Sequence, residues 1–106
     1  MMTPKVGEVY LLDFGIRGKV RPVVIMSRED TSAPRALSLF VPLTTEFRGS
    51  KYEVQMPRVP WLKLQSYANC QAMSAASHHE LKELRGKFDG ATVAKIKNAI
   101  RWTLDL

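Results

Sequence analysis

The chain has 106 residues, of which 45% are hydrophobic, and this size and composition predict one globular domain with a single core over residues 1–106. Its lone cysteine excludes an internal disulfide and a cysteine-rich zinc site. No apolar run approaches 18 residues and the N-terminus lacks the layout of a signal peptide, so we expect a cytoplasmic protein without a membrane span. The net charge of +6 favours a polyanionic partner, nucleic acid first and an acidic protein second, although a merely basic surface would have the same charge.

The first half of the chain has the pattern of an antiparallel sheet. Residues 8–14 and about 20–27 are apolar in alternation or on both faces, which predicts two strands joined by the turn 15–19. Pro22 cannot donate a ladder hydrogen bond, so it belongs at the beginning of the second strand. Three further runs predict the remaining strands, at Leu37–Leu43, Tyr52–Met56 and Tyr67–Met73.

The spacing of apolar residues changes in the last third of the chain. Ser77 with Glu80 three residues later fits a capping box, which predicts a short helix that ends at Gly86. A second helix is predicted after a cap at Asp89 or Thr92. Its apolar stripe consists of Val93, Ile96, Ile100 and Thr103 or Leu104. Five short antiparallel strands followed by helices predict a mainly β fold of the α+β class, a small, strongly curved barrel with a C-terminal helix packed on it.

One arginine and two threonines stand at the ends of neighbouring predicted strands. The guanidinium of Arg21 can hold a phosphate through two parallel hydrogen bonds, and the hydroxyls of Thr44 and Thr45 can bind a phosphate or transfer a proton. Each alone is also an ordinary rim or strand residue. A site is favoured because adjacent antiparallel strands can bring these ends together. Four cations would then flank the cluster: Arg17, Lys19, Arg48 and Lys51.

Other candidate residues have plainer interpretations. His78 and His79 are adjacent, and neighbouring helical side chains point about 100° apart, so the pair cannot grip one ion. We interpret them as solvated or half-packed helix residues and Cys70 as a small buried hydrophobe. Trp102 is expected to pack, whereas Trp61 is left open between packing, a dimer contact and a partner groove. No HExxH, paired CxxC, P-loop or GxSxG spacing occurs, so we expect no metal or cofactor and no zinc hydrolase, NTPase or serine esterase.

Short motifs follow one another in order along nearly the whole chain. They are Gly7–Tyr10 with Asp13-Phe14, then Arg21–Ile25, Pro42–Thr45, Tyr52–Val54 and Ser66–Cys70, with a glycine before the last helix. Each is weak alone, but the ordered set resembles the MazF/PemK (Kid-like) family of toxin endoribonucleases from type II toxin–antitoxin pairs. The resemblance implies a curved, SH3-like antiparallel barrel that works as a two-fold dimer.

The same resemblance implies an activity and partners. The expected reaction is metal-free cleavage of single-stranded RNA at short motifs by attack of the 2′-hydroxyl, which leaves a 2′,3′-cyclic phosphate and a 5′-hydroxyl. Arg21 falls on the motif arginine, suited to stabilising the phosphorane, and Thr44 on the motif threonine, which binds the phosphate. Expected partners are RNA, a second copy of the chain and a cognate acidic antitoxin, with which DNA is also bound. Further expected RNA contacts are Arg17, Lys19, Thr45, Arg48, Lys51 and Gln71.

The chain also departs from the family pattern. Asn69 and Gln71 flank Cys70 where the pattern has been read as an Arg–Cys–Asp trio for proton transfer, so the catalytic base stays open. The 15–19 loop is shorter than usual and lacks its Glu-Gln, which is compatible with a weak or specialised nuclease. Two alternatives therefore accompany the nuclease hypothesis: a non-enzymatic toxin that binds gyrase, like CcdB, and an inactive RNA-binding barrel.

Overall fold

A computed structural model describes residues 3–15 and 19–106, and its regular structure is mostly antiparallel sheet. The seven strands of the described residues are β1 Glu8–Asp13, β2 Val20–Ile25, β3 Leu37–Thr44, β4 Glu53–Gln55, β5 Tyr67–Asn69, β6 Ser74–Ser77 and β7 Lys82–Lys87. Two 3₁₀ turns lie at Cys70–Ala72 and His78–Glu80, and helix α1 spans Gly90–Thr103. Within the two described ranges, no helix is both long enough and apolar enough to cross a membrane.

The sheet is open, in the order β4-β5-β3-β2-β1-β7, with β6 paired to β3. The long strand β3 pairs with three strands, because β5 and β6 share one of its edges. Its first half pairs with β6, from Leu37–Ser77 to Phe40–Ser74, and its end pairs with β5 at Leu43–Ala68 and Thr44–Tyr67. The result confirms the expected mainly β, barrel-like architecture with a C-terminal helix.

Core residues lie on both faces of the central strands. On β2, Val24 belongs to the larger cluster, whereas Val23 and Ile25 belong to a smaller one on the opposite face, as alternation along a strand requires. Helix α1 buries Val93 and Ile96 in the larger cluster. Burial on both faces is what a doubly apolar run in a central strand predicts.

The prediction of a short helix between Ser77 and Gly86 is wrong. The Ser77 N–H does donate to Glu80 Oε1 at 2.8 Å, but the structure continues only as a 3₁₀ turn and then enters β7. The backbone of β7 hydrogen-bonds to β1, with Glu8 opposite Lys87, so sheet pairing outcompetes a helix that has no continuous apolar stripe. The strand expected at Tyr67–Met73 is also too long, since it ends at Asn69 where a 3₁₀ turn begins.

The C-terminal helix begins where a cap was expected. Asp89 is its N-cap and accepts the Thr92 N–H at 2.9 Å, and hydrogen bonds from Thr92 lower the pKa of this carboxyl. Trp61 packs on Phe88, with 5.0 Å between ring centroids, so packing accounts for it. Trp102 packs at the surface instead, edge-on to a neighbouring tyrosine and 49% exposed.

Candidate functional site

Two adjoining cavities form a groove where β2 begins and β3 and β5 end. The first, about 680 Å³, has Phe14, Lys19, Arg21, Pro42, Thr44 and Asn69 in its walls, and we call it the cationic cavity. The second, about 400 Å³, has Thr44, Arg48, Ser50, Glu53, Asn69 and Gln71 in its walls, and we call it the polar cavity. Thr44 and Asn69 line both cavities, so these two residues mark the boundary inside one continuous groove.

Strand register explains why Arg21 and Thr44 meet. Strands β2 and β3 pair antiparallel with Val23 opposite Pro42. Continuing that register by two residues places Arg21 opposite Thr44, and residues directly opposite each other project from the same face. Pro22 and Pro42 both lack an N–H, which removes two potential ladder donors at this end of the strands, and Pro42 lines the cationic cavity.

The two central side chains are half-buried and positioned for an anion. Oγ1 of Thr44 accepts the Glu46 N–H at 3.0 Å, which leaves the hydroxyl hydrogen free to donate. Arg21 follows the turn, where the Phe14 N–H donates to the Lys19 carbonyl at 3.0 Å. Among the described residues no carboxylate lies within salt-bridge distance of Arg21. The Arg21 side chain and the Thr44 hydroxyl both line the cationic cavity, where they can meet an anionic ligand.

A carboxylate organises the polar cavity. Glu53 accepts hydrogen bonds from Ser50 Oγ at 2.7 Å, Ser50 N–H at 2.9 Å and Arg48 N–H at 3.0 Å. The Ser50 hydroxyl, followed by these backbone donors, lowers the pKa of Glu53 and keeps it ionised. The Arg48 side chain is exposed and pairs with Glu46 at 3.4 Å, an ion pair of little strength. The loop is thus held by Glu53, and the Arg48 side chain is free to exchange partners.

The two histidines lie apart from the groove. Nε2 of His78 is 3.0 Å from Ser38 Oγ and the ring is half-buried, whereas His79 is exposed. Both line a different cavity, next to Tyr10. Their half-packed and solvated states agree with the sequence interpretation, although the local structure is a 3₁₀ turn instead of an α-helix.

Among the described residues, the groove contains neither a thiolate nor a cluster of metal ligands. Cys70 is buried, and burial raises the pKa of its thiol to about 11, so the thiol remains protonated at neutral pH. In the part of the chain that the structure describes, no three His, Cys, Asp or Glu side chains come together as metal ligands.

Residues 5–104 match the family model of the PemK-like, MazF-like toxins of type II toxin-antitoxin systems. The chain belongs to this toxin family. The match covers nearly the whole chain and confirms the resemblance carried by the ordered motifs. No curated protein matches the toxin's sequence.

Similar solved structures agree with this family assignment. An endoribonuclease from a Mycobacterial species, in complex with its cognate antitoxin, is 29% identical with a TM-score of 0.85, over 97% of this chain and 96% of that chain. A second structure, of an endoribonuclease from a Mycobacterial species, is also 29% identical, with a TM-score of 0.82 over 100% of this chain and 95% of that chain. MazF from Deinococcus radiodurans, at 17% identity and a TM-score of 0.83 over both whole chains, shows the shared fold.

The toxin brings most of its sequence-predicted site residues into the groove. Lys19, Arg21 and Thr44 line the cationic cavity, and Arg48 and Gln71 line the polar cavity. Two of the remaining expected contacts do not line either cavity. Thr45 is exposed on the adjoining loop, and the Nζ of Lys51 lies 5.7 Å from the centroid of the Trp102 ring. The third, Arg17, lies outside the described residues.

The sequence did not assign Phe14, Asn69 or Glu53 to the groove. Phe14 and Asn69 line the cationic cavity, although the sequence pattern marked Phe14 only as part of a family motif and Asn69 only as a departure from that family's trio. Glu53 did have a signal, because Ser50 and Glu53 have the S-x-x-E spacing of a capping box. The Glu53 carboxylate accepts the Ser50 N–H as in a capping box, but a strand follows instead of a helix.

Proposed function

We propose that this toxin is a metal-independent endoribonuclease that cleaves single-stranded RNA, acting in the cytoplasm on messages. The observation that carries the proposal is the juxtaposition of Arg21 and Thr44 in one cavity beside Lys19. The two 29%-identical mycobacterial structures, both endoribonucleases, support it. They also disfavour the alternatives of a gyrase-binding toxin and an inactive RNA-binding barrel.

In this proposal the ribose 2′-hydroxyl attacks the adjacent phosphorus and displaces the 5′-oxygen of the next nucleotide. The products are a 2′,3′-cyclic phosphate and a 5′-hydroxyl. The guanidinium of Arg21 faces the phosphorane oxygens through parallel N–H donors, and the Thr44 hydroxyl donates to the same phosphate. In many enzymes, hydrogen-bond donors that are already in place where charge develops make the largest single contribution to stabilising the transition state. Each such donor contributes about 2.7–4 kcal/mol.

Proton transfer is the smaller part of this mechanism. The described residues that line the cationic cavity include no carboxylate and no imidazole. The Asn69 amide is not basic, and the Cys70 thiol is buried with its pKa raised to about 11. We therefore assign the 2′-hydroxyl proton to water in the open groove, and water also supplies the proton that turns the departing 5′-oxygen into a hydroxyl. Most of the rate enhancement is assigned to charge stabilisation by Arg21.

The RNA backbone is proposed to follow the groove from the cationic to the polar cavity. Lys19 and Arg48 would each meet a phosphate, and Gln71 a base or sugar edge. Lys51, Thr45 and Arg17 are proposed as outer contacts. Because each phosphate contact releases condensed counterions, RNA affinity should fall steeply as salt concentration rises.

The test uses the purified toxin, a long single-stranded RNA and EDTA. We expect cleavage to continue in EDTA, with fragments that carry a cyclic phosphate and a 5′-hydroxyl. A matched double-stranded RNA is the control and should stay intact. Activity that is lost on chelation and restored by magnesium would overturn the mechanism, and intact RNA under all conditions would overturn the nuclease assignment.

We also propose that the toxin forms a two-fold dimer and is silenced by a cognate acidic antitoxin. Carboxylates of the antitoxin would compete with RNA phosphates for Lys19 and Arg48, so the two ligands should exclude each other. The complex of the similar mycobacterial endoribonuclease with its antitoxin supports this partner class. Charge reversal at Lys19 and Arg48 should weaken the binding of both RNA and antitoxin. RNA binding that is unchanged at saturating antitoxin would contradict the shared groove.

Native mass spectrometry tests the proposed dimer. A toxin that is monomeric at micromolar concentration would contradict it.

A further inference from the structure

We propose that Phe14 forms a nucleobase-stacking subsite, which holds the base of the nucleotide on the Arg21 side of the scissile phosphate. This inference rests on the proposed function, since it places RNA in the groove. It assigns a role to an aromatic side chain that the cleavage mechanism does not use. The ligand class is the flat face of any nucleobase in single-stranded RNA.

The Phe14 ring is held in place yet accessible. Phe14 lies directly after β1 and is 47% exposed. Its ring packs edge-to-face with Phe40, with 6.0 Å between centroids and 76° between planes, and Phe40 itself is buried. The backbone is fixed as well, because the Phe14 N–H donates to the Lys19 carbonyl at 3.0 Å. A ring that is braced on one side and open on the other loses little conformational freedom when it stacks.

The chemistry of the cationic cavity matches a nucleotide in two parts. Phe14, Pro42 and Ala72 supply an apolar wall, and Lys19 and Arg21 supply positive charge. A nucleotide likewise joins an apolar π-face to an anionic phosphate. Groups of both kinds within one cavity of about 680 Å³ let a base rest on Phe14 while its phosphate meets Arg21.

The polar cavity on the other side of Thr44 and Asn69 has a different character. It carries two carboxylates, Glu46 and Glu53, next to Arg48 and hydrogen-bonding side chains. The two nucleotides that flank the scissile phosphate would therefore be bound differently. Stacking on Phe14 tolerates any base, whereas hydrogen bonds in the polar cavity discriminate among bases. The geometry thus assigns sequence preference mainly to the polar cavity.

The test measures binding of a short, mixed-sequence 2′-O-methyl RNA, which cannot be cleaved through its 2′-position, and of an abasic backbone of the same length. Phe14→Leu should weaken binding of the base-containing oligomer about 5- to 150-fold, which corresponds to base–aromatic stacking of about 1–3 kcal/mol. It should leave the abasic oligomer unaffected. Phe47→Leu is the matched control, because Phe47 is 54% exposed, stacks on Tyr67 and lines neither cavity. Wild-type affinity in Phe14→Leu, or equal losses in both variants, would overturn the subsite.

Phe14→Trp provides a second readout that does not depend on losing the ring. Its additional fluorescence, taken as the difference from wild type, should be quenched by the base-containing oligomer but not by the abasic one. Absence of that quenching at saturation would refute the proposal. The outcome is separable from that of the nuclease proposal. If the wild type cleaves RNA and Phe14→Leu binds the oligomer with normal affinity, only the subsite is refuted. If binding depends on Phe14 but the wild type cleaves no RNA, only the nuclease assignment is refuted.

Discussion

Gly86→Ala should destabilise the toxin although it adds only one methyl group. Gly86 lies in β7 opposite Val9, and the Trp61 indole packs directly over its Cα. An added Cβ would collide with Cδ2 and Cε2 of the ring and stand 2.7 Å from its Nε1. Movement of the indole away from the new methyl group would disturb its packing on Phe88, whose ring centroid is 5.0 Å away. Overpacking of this kind costs about 1–3 kcal/mol.

Thermal unfolding followed by circular dichroism measures that cost. For a domain of this size each kcal/mol lowers Tm by about 4–8 °C. Gly90→Ala is the matched control, since a Cβ there meets nothing within 4 Å and the change should be neutral or slightly stabilising. In a Trp61→Ala background, Gly86→Ala should cost almost nothing, because the collision partner is gone. A neutral Gly86→Ala, or an equal loss with and without Trp61, would refute this explanation.

Three other predictions concern single side chains. Thr44→Val should slow RNA cleavage by about 10²–10³-fold while Thr44→Ser retains it, and wild-type rates in the valine variant would remove Thr44 from the mechanism. Native toxin should keep its activity and its free thiol after iodoacetamide treatment at pH 8, because Cys70 is buried with its pKa raised to about 11; rapid alkylation of the folded protein would contradict this. Burial, and then the charge of Glu8, raises the pKa of Tyr10 from 10.0 to about 12, so the fold favours the neutral phenol. The resulting stabilisation is complete below pH 10 and is lost as pH rises towards 12. Tyr10→Phe should remove that part of the alkaline loss, and identical stability profiles of the two proteins would contradict it.

Sequence periodicity predicted the elements whose burial is simple. Strand β2 is apolar on both faces because it has core on both sides, and α1 has a single stripe because one face packs on the sheet. The meeting of Arg21 with Thr44 also followed from the sequence, since consecutive antiparallel strands bring opposite ends together.

Features that depend on tertiary partners could not be predicted from local pattern. The segment just before β7 has the local signature of a helix start at Ser77 and Glu80, yet the backbone groups of β7 bond to β1, which is remote in sequence. The role of Gly86 became clear only from the position of Trp61. The division of the groove into cationic and polar cavities depends on the β5 residue Asn69, whose neighbours on the facing strands are set by register.

The most direct test of the account is the rate at which Arg21→Ala cleaves a long single-stranded RNA in EDTA, measured beside wild type and beside the His78→Ala/His79→Ala double variant. Circular dichroism and Tm establish that each protein is folded. Arg21 is half-buried at a strand end and belongs to neither core cluster, so its loss should leave the fold intact. We expect cleavage to be abolished in Arg21→Ala and little changed in the histidine variant. Full ribonuclease activity in a folded Arg21→Ala protein would contradict it.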